Sequence, residues 1–177
     1  PMVRQDILKA IGWEKTPDSF EELYEMLRAM KAYDPDCIPM VTRGTDVLWR
    51  MGYSFGTYND IYFEPDDGQY EYGPLTDRYR DFMAYLNRLY AEGLLDPDFL
   101  AVDSNTFQAK ATSGQVGSWF GSETAHYATY ASIMKETVPE AQIAALNWPT
   151  APDGNSYTAQ PAVNVICSGK GFALSST

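Results

Sequence analysis

Two amphipathic helices constrain this chain more than any other feature. Across residues 19–33, Phe20, Leu23, Leu27 and Met30 fall on one helical face, and Ser19 with Glu22 makes a capping box that satisfies exposed backbone donors. Across residues 76–92, Tyr79, Phe82, Met83, Leu86, Leu89 and Tyr90 repeat with the same period, and Gly93 stands where a C-terminal cap belongs. Apolar faces of that width have to be buried, and the runs that alternate with them read as short strands: residues 38–42, 115–120, 142–147 and 162–167. Shorter helices are predicted from Val47, over 104–111, and from Ser122 to Lys135. Residues 60–64 and 69–72 flank Pro65-Asp66-Asp67-Gly68, whose Asp-Gly step supplies the positive φ angles of a tight hairpin turn. The Gly and Pro clusters read as turns, and there is no internal repeat or low-complexity tract. The expectation is a single α/β domain over 1–177, a mixed sheet flanked by helices.

Composition narrows the partners. With 45% hydrophobic residues the chain can build a real core, and with 13 basic against 24 acidic residues its formal net charge is -11. That sign opposes attraction to a phosphate backbone, so nucleic acid is not an expected partner. Aromatic residues reach 14%, including 13 Tyr and 4 Trp, more than a minimal core needs; most should fill the core and its rim, and the excess fits a surface that stacks on a ligand. Cys37 and Cys167 are the only cysteines and form no CxxC, which argues against zinc and thioredoxin-like chemistry. Both stand beside apolar residues and are expected to pack as unbridged thiols. No run approaches the roughly 18 apolar residues of a membrane span, and no basic-then-apolar leader opens the chain. A start at Pro1 and a stop within the strand-like FALSST at 172–177 are expected of a piece cut from a longer protein.

The common catalytic signatures are missing. There is no GxGxxG, and SGKGF at 168–172 lacks the spacing of a phosphate cradle. His126 is the only histidine, with no GxSxG elbow to present a serine beside it. HExxH is absent, and Asp34-Pro35-Asp36 runs into Cys37 without the central Gly and closing Glu of a calcium loop. No metal and no cofactor are expected. Paired carboxylates keep one enzymatic alternative open, a fragment of a carbohydrate-active enzyme using two of Asp46, Asp60 and Glu123, although most acids here stand in turns or on polar helix faces. The remaining pattern is one of sugar binding. Pyranose rings have apolar C–H faces and polar edges, so aromatic stacking combined with bidentate polar side chains holds them. GSWFGSE at 117–123 brings that mixture into one turn: Trp119 and Phe120 end a strand, and a helix start capped by Ser122 points free amide donors outward. Trp119 is the expected main platform, with Phe120 second by alternation.

The pieces also line up with a family. VRQDILKAIGW, TPDSFEELYEMLRAMKAYDPD, a hairpin ending in DGQYEYG, YLNRLYAEGLLDPDFL, SGQVGSWFG and LNWPTAPDG resemble, in that order from Val3 to about Ser176, the extracellular solute-binding proteins of family 1. In that family two α/β lobes close around a solute for an ABC importer. The resemblance implies a periplasmic-binding-protein-like fold of type II, with this chain as the second, C-terminal lobe: VRQD follows the first crossover, and FALSS resembles the returning strand. It implies a mono- or oligosaccharide held in a cleft shared with the first lobe, an ABC permease as partner of the full-length protein, and no enzymatic activity. It also implies a place outside the cell, as a surface lipoprotein or in the periplasm, with the membrane reached only through a lipid anchor absent from this chain. Relatives grip sugars with aromatics on strand-to-helix loops. On this sequence that points to Trp119 and Phe120, to Trp49 after the turn at 42–46, and to Trp148 before the Pro-Asp-Gly turn, with Arg43, Asp46 and Glu123 as polar partners. After DPD relatives often carry a longer polar insert, where here Cys37-Ile38-Pro39 follows at once, so an ion-binding loop is not implied.

Overall fold

The structure, a computed structural model, describes residues 1–64, 68–120 and 127–157. In chain order the elements are β1 (Met2–Arg4), α1 (Gln5–Ala10), α2 (Phe20–Tyr33), β2 (Ile38–Thr42), α3 (Asp46–Ser54), β3 (Ile61–Glu64), β4 (Gln69–Tyr72), α4 (Asp77–Ala91), α5 (Ser104–Thr112), β5 (Val116–Phe120), α6 (Tyr127–Thr137) and β6 (Ile143–Ala145). The predicted strand at 162–167, Cys167, the turn residues 65–67, and Ser122, Glu123 and His126 lie outside the described residues.

Among the described residues, four strands form one mixed sheet in the order β2-β5-β1-β6. β2 and β5 are parallel, with Met40 beside Ser118 and Thr42 beside Phe120, whereas β1 runs antiparallel to both β5 and β6. A parallel pair needs a long crossover. Here the chain leaves β2 through α3, the β3–β4 hairpin, α4 and α5 before it returns in β5.

The helices start where the side chains dictate. Ser19 Oγ accepts the Glu22 N–H at 3.2 Å, and the Glu22 carboxylate accepts the Asp18 N–H at 2.8 Å, so the return bond of the capping box lands one residue before the cap. Thr76 Oγ1 accepts the Tyr79 N–H at 3.2 Å and opens α4, and Gly93 takes φ +67° just beyond that helix, where only glycine turns without strain.

Strand alternation divides the core between the two faces of the sheet. Val3, Met40 and Phe120 pack with Leu23, Leu27 and Met30 of α2 and Phe82, Leu86 and Leu89 of α4. Met2, Val41 and Trp119 pack with Phe107 and Ala111 of α5 and Tyr130 and Met134 of α6. Fully burying a side chain of this kind contributes about 1.5–3 kcal/mol. All five residues of β5 are buried, because β5 has strands on both sides and helices on both faces. Cys37, just before β2, is a buried free thiol, and burial pushes it up to about 11.

The hairpin inverts the usual arrangement. Tyr62 and Glu64 face inward, while Ile61, Phe63, Tyr70 and Tyr72 are exposed, with Phe63 and Tyr70 edge to face at 5.5 Å. It is tied down at its base, where the Gly73 N–H donates to Asp60 O at 3.0 Å and its Cα sits so close to Tyr58 that a Cβ would overlap the Tyr58 carbonyl.

Two expected outcomes follow. Trp119→Ala removes a ring that is 1% exposed and should lower stability by about 3–5 kcal/mol in urea unfolding; a loss of under about 1 kcal/mol would contradict this packing. Gly73→Ala should cost about 1–3 kcal/mol through overpacking against Tyr58, read as a lower midpoint with an unchanged m-value.

Candidate functional site

In a parallel pair both strands deliver their following loops to the same edge, which is where open α/β sheets place ligands. The C-terminal ends of β2 and β5 meet there as Thr42 and Phe120. After Thr42 the chain turns at Gly44, φ +51°, and enters α3 at Asp46. A Cβ on Gly44 would stand 3.7 Å from the carbonyl oxygen of Val102, so this turn lies against the segment leading into α5.

That neighbourhood makes a polar edge. Arg43 Nη2 pairs with Asp46 Oδ2 at 2.8 Å, and Arg43 Nη1 donates to Ser104 Oγ at 3.3 Å. The side chains of Arg43 and Asp46 are 37% and 24% exposed, so both remain within reach of a solute. Beside Ser104, the Asp103 carboxylate accepts the Thr106 N–H at 2.7 Å and caps α5; that backbone donor holds the carboxyl below its ordinary range.

An aromatic cluster lies next along α3. Trp49 and Tyr53 are one helical turn apart and both are half-buried. Tyr58 is 5% exposed; it stacks on Tyr53 at 4.5 Å between ring centres and meets Trp49 edge-on at 4.9 Å. Helical spacing puts Asp46, Trp49, Arg50 and Tyr53 along one side of α3, so the charged pair and the rings share a surface. Tyr58 supports that surface from below, and Gly73 in turn presses on Tyr58.

The residues singled out from the sequence separate into groups. Arg43 and Asp46 pair at the end of β2, and Trp49 follows about one turn along α3. Trp119 and Phe120 do not project into a cleft: each is 1% exposed, Trp119 in the core under α5 and α6 and Phe120 in the core under α2 and α4. The expected stacking platform at Trp119 is therefore corrected, because a central strand covered on both faces sends both rings inward. Trp148 is half-buried, meets Phe120 edge-on at 5.7 Å, and lines an open groove of about 500 Å³ with Asp18, Asn147 and Thr150. Glu123 lies outside the described residues. Tyr53, Tyr58 and Ser104 join the site without having been anticipated. Of these only Tyr53 left a trace in the sequence, its four-residue spacing from Trp49.

The geometry also bears on the enzymatic alternative. A glycosidase holds one carboxyl well above its ordinary range as general acid. Here Asp46 is paired with Arg43, and Asp60 accepts the N–H of Ile61 at 2.8 Å at the foot of the hairpin. Several carboxyls move the other way: Arg88 holds Glu21 low, and Lys15 holds Glu22 low. Among the described residues no group of three or more His, Cys, Asp or Glu is placed to hold a metal ion.

No model of a protein family matches the chain. Among curated proteins it is similar to lipoprotein LipO of Bacillus subtilis (strain 168), 31% identical over 126 residues, which covers 66% of this chain and 25% of that protein. It is also similar to the polygalacturonan/rhamnogalacturonan-binding protein YtcQ of the same strain, 25% identical over 134 residues, 68% of this chain and 27% of the relative. The chain thus spans about a quarter of the length of these relatives. Among solved structures it superposes on the alginate-binding protein AlgQ2 without calcium ion with a TM-score of 0.74 at 25% identity, covering 88% of this chain and 33% of that one. It superposes on the S. pneumoniae ABC-transporter substrate-binding protein FusA in complex with kestose with a TM-score of 0.65 at 22% identity, covering 88% and 32%; that likeness is one of fold. The chain has the fold of a single lobe of these proteins, and its sequence similarity to LipO and YtcQ is consistent with the extracellular solute-binding proteins of family 1.

Proposed function

We propose that this chain is the second lobe of a solute-binding protein that captures a carbohydrate for an ABC importer, the sugar lying in a cleft shared with the first lobe. The observation that carries the reading is the surface at the end of β2, where the partly exposed Arg43–Asp46 pair opens the helix that carries the Trp49 and Tyr53 rings packed on Tyr58. Rings offer a face for the C–H side of a pyranose, and the charged pair offers donors and acceptors for its hydroxyl edge. On this reading Trp49 is the stacking residue, Arg43 and Asp46 read hydroxyls, and Trp148, which follows β6, contributes a further ring. Support for the class of ligand comes from YtcQ and AlgQ2, both named for the polysaccharides they bind.

The lobe has no enzymatic role in this proposal. It hands its solute to a permease and works outside the cell, as a surface lipoprotein or in the periplasm. No helix among the described residues is long and apolar enough to cross a membrane.

The test is calorimetry on the full-length protein against mono- and oligosaccharides, with chromogenic glycosides run alongside. Micromolar binding without turnover is expected. Trp49→Ala should weaken binding by roughly thirtyfold, about 2 kcal/mol, with little change in melting temperature. Turnover of the glycosides, or a Trp49→Ala variant with wild-type affinity, would overturn the reading.

A further inference from the structure

We infer that the outward face of the β3–β4 hairpin is a second saccharide contact, an aromatic strip that takes a polymeric glycan by the C–H faces of its rings. It is made of residues other than those at the end of β2, and it rests on the carbohydrate reading above for the kind of ligand it takes.

The strip comes from the register of the hairpin. Ile61 stands opposite Tyr72 and Phe63 opposite Tyr70, so alternation puts all four side chains on one face. They are between 36% and 68% exposed, and the Phe63 and Tyr70 rings meet edge to face with centres 5.5 Å apart. A slip of one residue would turn these side chains inward, and the bonds of the opposite face oppose it. There the Tyr62 hydroxyl donates to Glu71 at 2.7 Å. Arg78 of α4 donates to the buried Glu64 carboxylate at 3.0 Å and to Gly56 O at 2.8 Å. Polar groups thus hold the inner face, and the rings are left outside on a fixed base. That base is shared with the candidate site: Tyr58, which packs on Trp49 and Tyr53, lies three residues before β3, and Gly73, just after β4, presses on it.

Size and charge select the occupant. With about 150–250 Å² to a large side chain, four side chains so exposed present about 400 Å², the size of a functional patch on a monomer. Each partner in a stable protein interface gives about 800 Å², so the strip is too small to hold a second copy of the chain by itself. None of the four residues is charged, and the residues that join the strands include Asp66 and Asp67, on a chain whose formal net charge is -11. That setting opposes an anionic lipid surface. A glycan needs neither a large area nor a counter-charge. Its C–H faces lie against aromatic side chains, and the Tyr70 and Tyr72 phenols can exchange hydrogen bonds with ring hydroxyls. Side chains two apart on a strand stand about 7 Å from each other, so the Ile61–Tyr72 and Phe63–Tyr70 pairs make two successive steps along one line, as a linear polymer requires.

The experiment runs the full-length protein in native gels cast with galactomannan, arabinoxylan, mixed-linkage glucan or polygalacturonate, beside calorimetry against mono- to trisaccharides. The variants are Tyr70→Ala with Tyr72→Ala, and Tyr70→Phe with Tyr72→Phe; neither changes the net charge, so mobility reports binding. At least one polymer should retard the wild type. The alanine pair should raise the apparent Kd for that polymer about tenfold, with mono- to trisaccharide affinity and melting temperature unchanged, and the phenylalanine pair should restore most of the loss. Unchanged retardation in the alanine pair would overturn the strip and leave the carbohydrate reading standing. So would a collapse of its melting temperature, which would mark the face as covered by the rest of the protein. Loss of sedimentation with phosphatidylglycerol–phosphatidylcholine vesicles, in place of loss of retardation, would overturn it in favour of a lipid surface. A wild type that binds mono- to trisaccharides but no polymer overturns the strip alone. A folded wild type that binds no saccharide overturns the carbohydrate reading and the strip with it.

Discussion

The parallel contact between β2 and β5 is the constraint on which the rest of the structure depends. It brings together two strands far apart in the chain, pairs one edge of β5, and sets the C-terminal ends of both strands side by side. A third segment follows from it. The Met40 N–H donates to Leu94 O at 3.0 Å and the Asp96 N–H to Met40 O at 2.9 Å, so the stretch after α4 runs beside β2 on its free side. Asp96 loses nearly all its water there, and the Lys110 ammonium at 2.6 Å and the Asp98 N–H at 3.1 Å replace it. That exchange ties the last turn of α5 to the β2 edge.

Much of this fold was legible in the sequence wherever a local rule decides the outcome. The two long helices, the Ser19 and Thr76 starts, the Gly93 stop and the hairpin flanks all fall within a residue or two of the reading. β1 was not legible. Three residues are too few to show a period, and Met2–Arg4 is a strand only because β5 and β6 lie on either side of it. Trp119 was misjudged for a related reason. Alternation says that Trp119 and Phe120 face opposite ways, but whether either side is open depends on the strand's place in the sheet and on the helices that cover it, and no property of residues 116–120 encodes that.

The candidate site shows the same division. Arg43, Asp46 and Trp49 could be picked out because a strand, a glycine turn and a helix start follow one another within a dozen residues. Tyr58 could not, since its contribution comes from a fold-back that sets its ring under Trp49 and Tyr53. Rigidity at the site is therefore a tertiary property. The rings that face outward are half-buried and the ring beneath them is buried, so the platform is ordered before any solute arrives, and less conformational freedom is lost on binding.

The Arg43–Asp46 pair joins these levels. Asp46 opens α3, where the positive end of the helix dipole favours a carboxylate, and the same carboxylate sits three residues from Arg43 at the strand end. Its position is thus set by local backbone chemistry as well as by its cationic partner. A partly exposed ion pair adds little to stability, and this one leaves both side chains within reach of a solute.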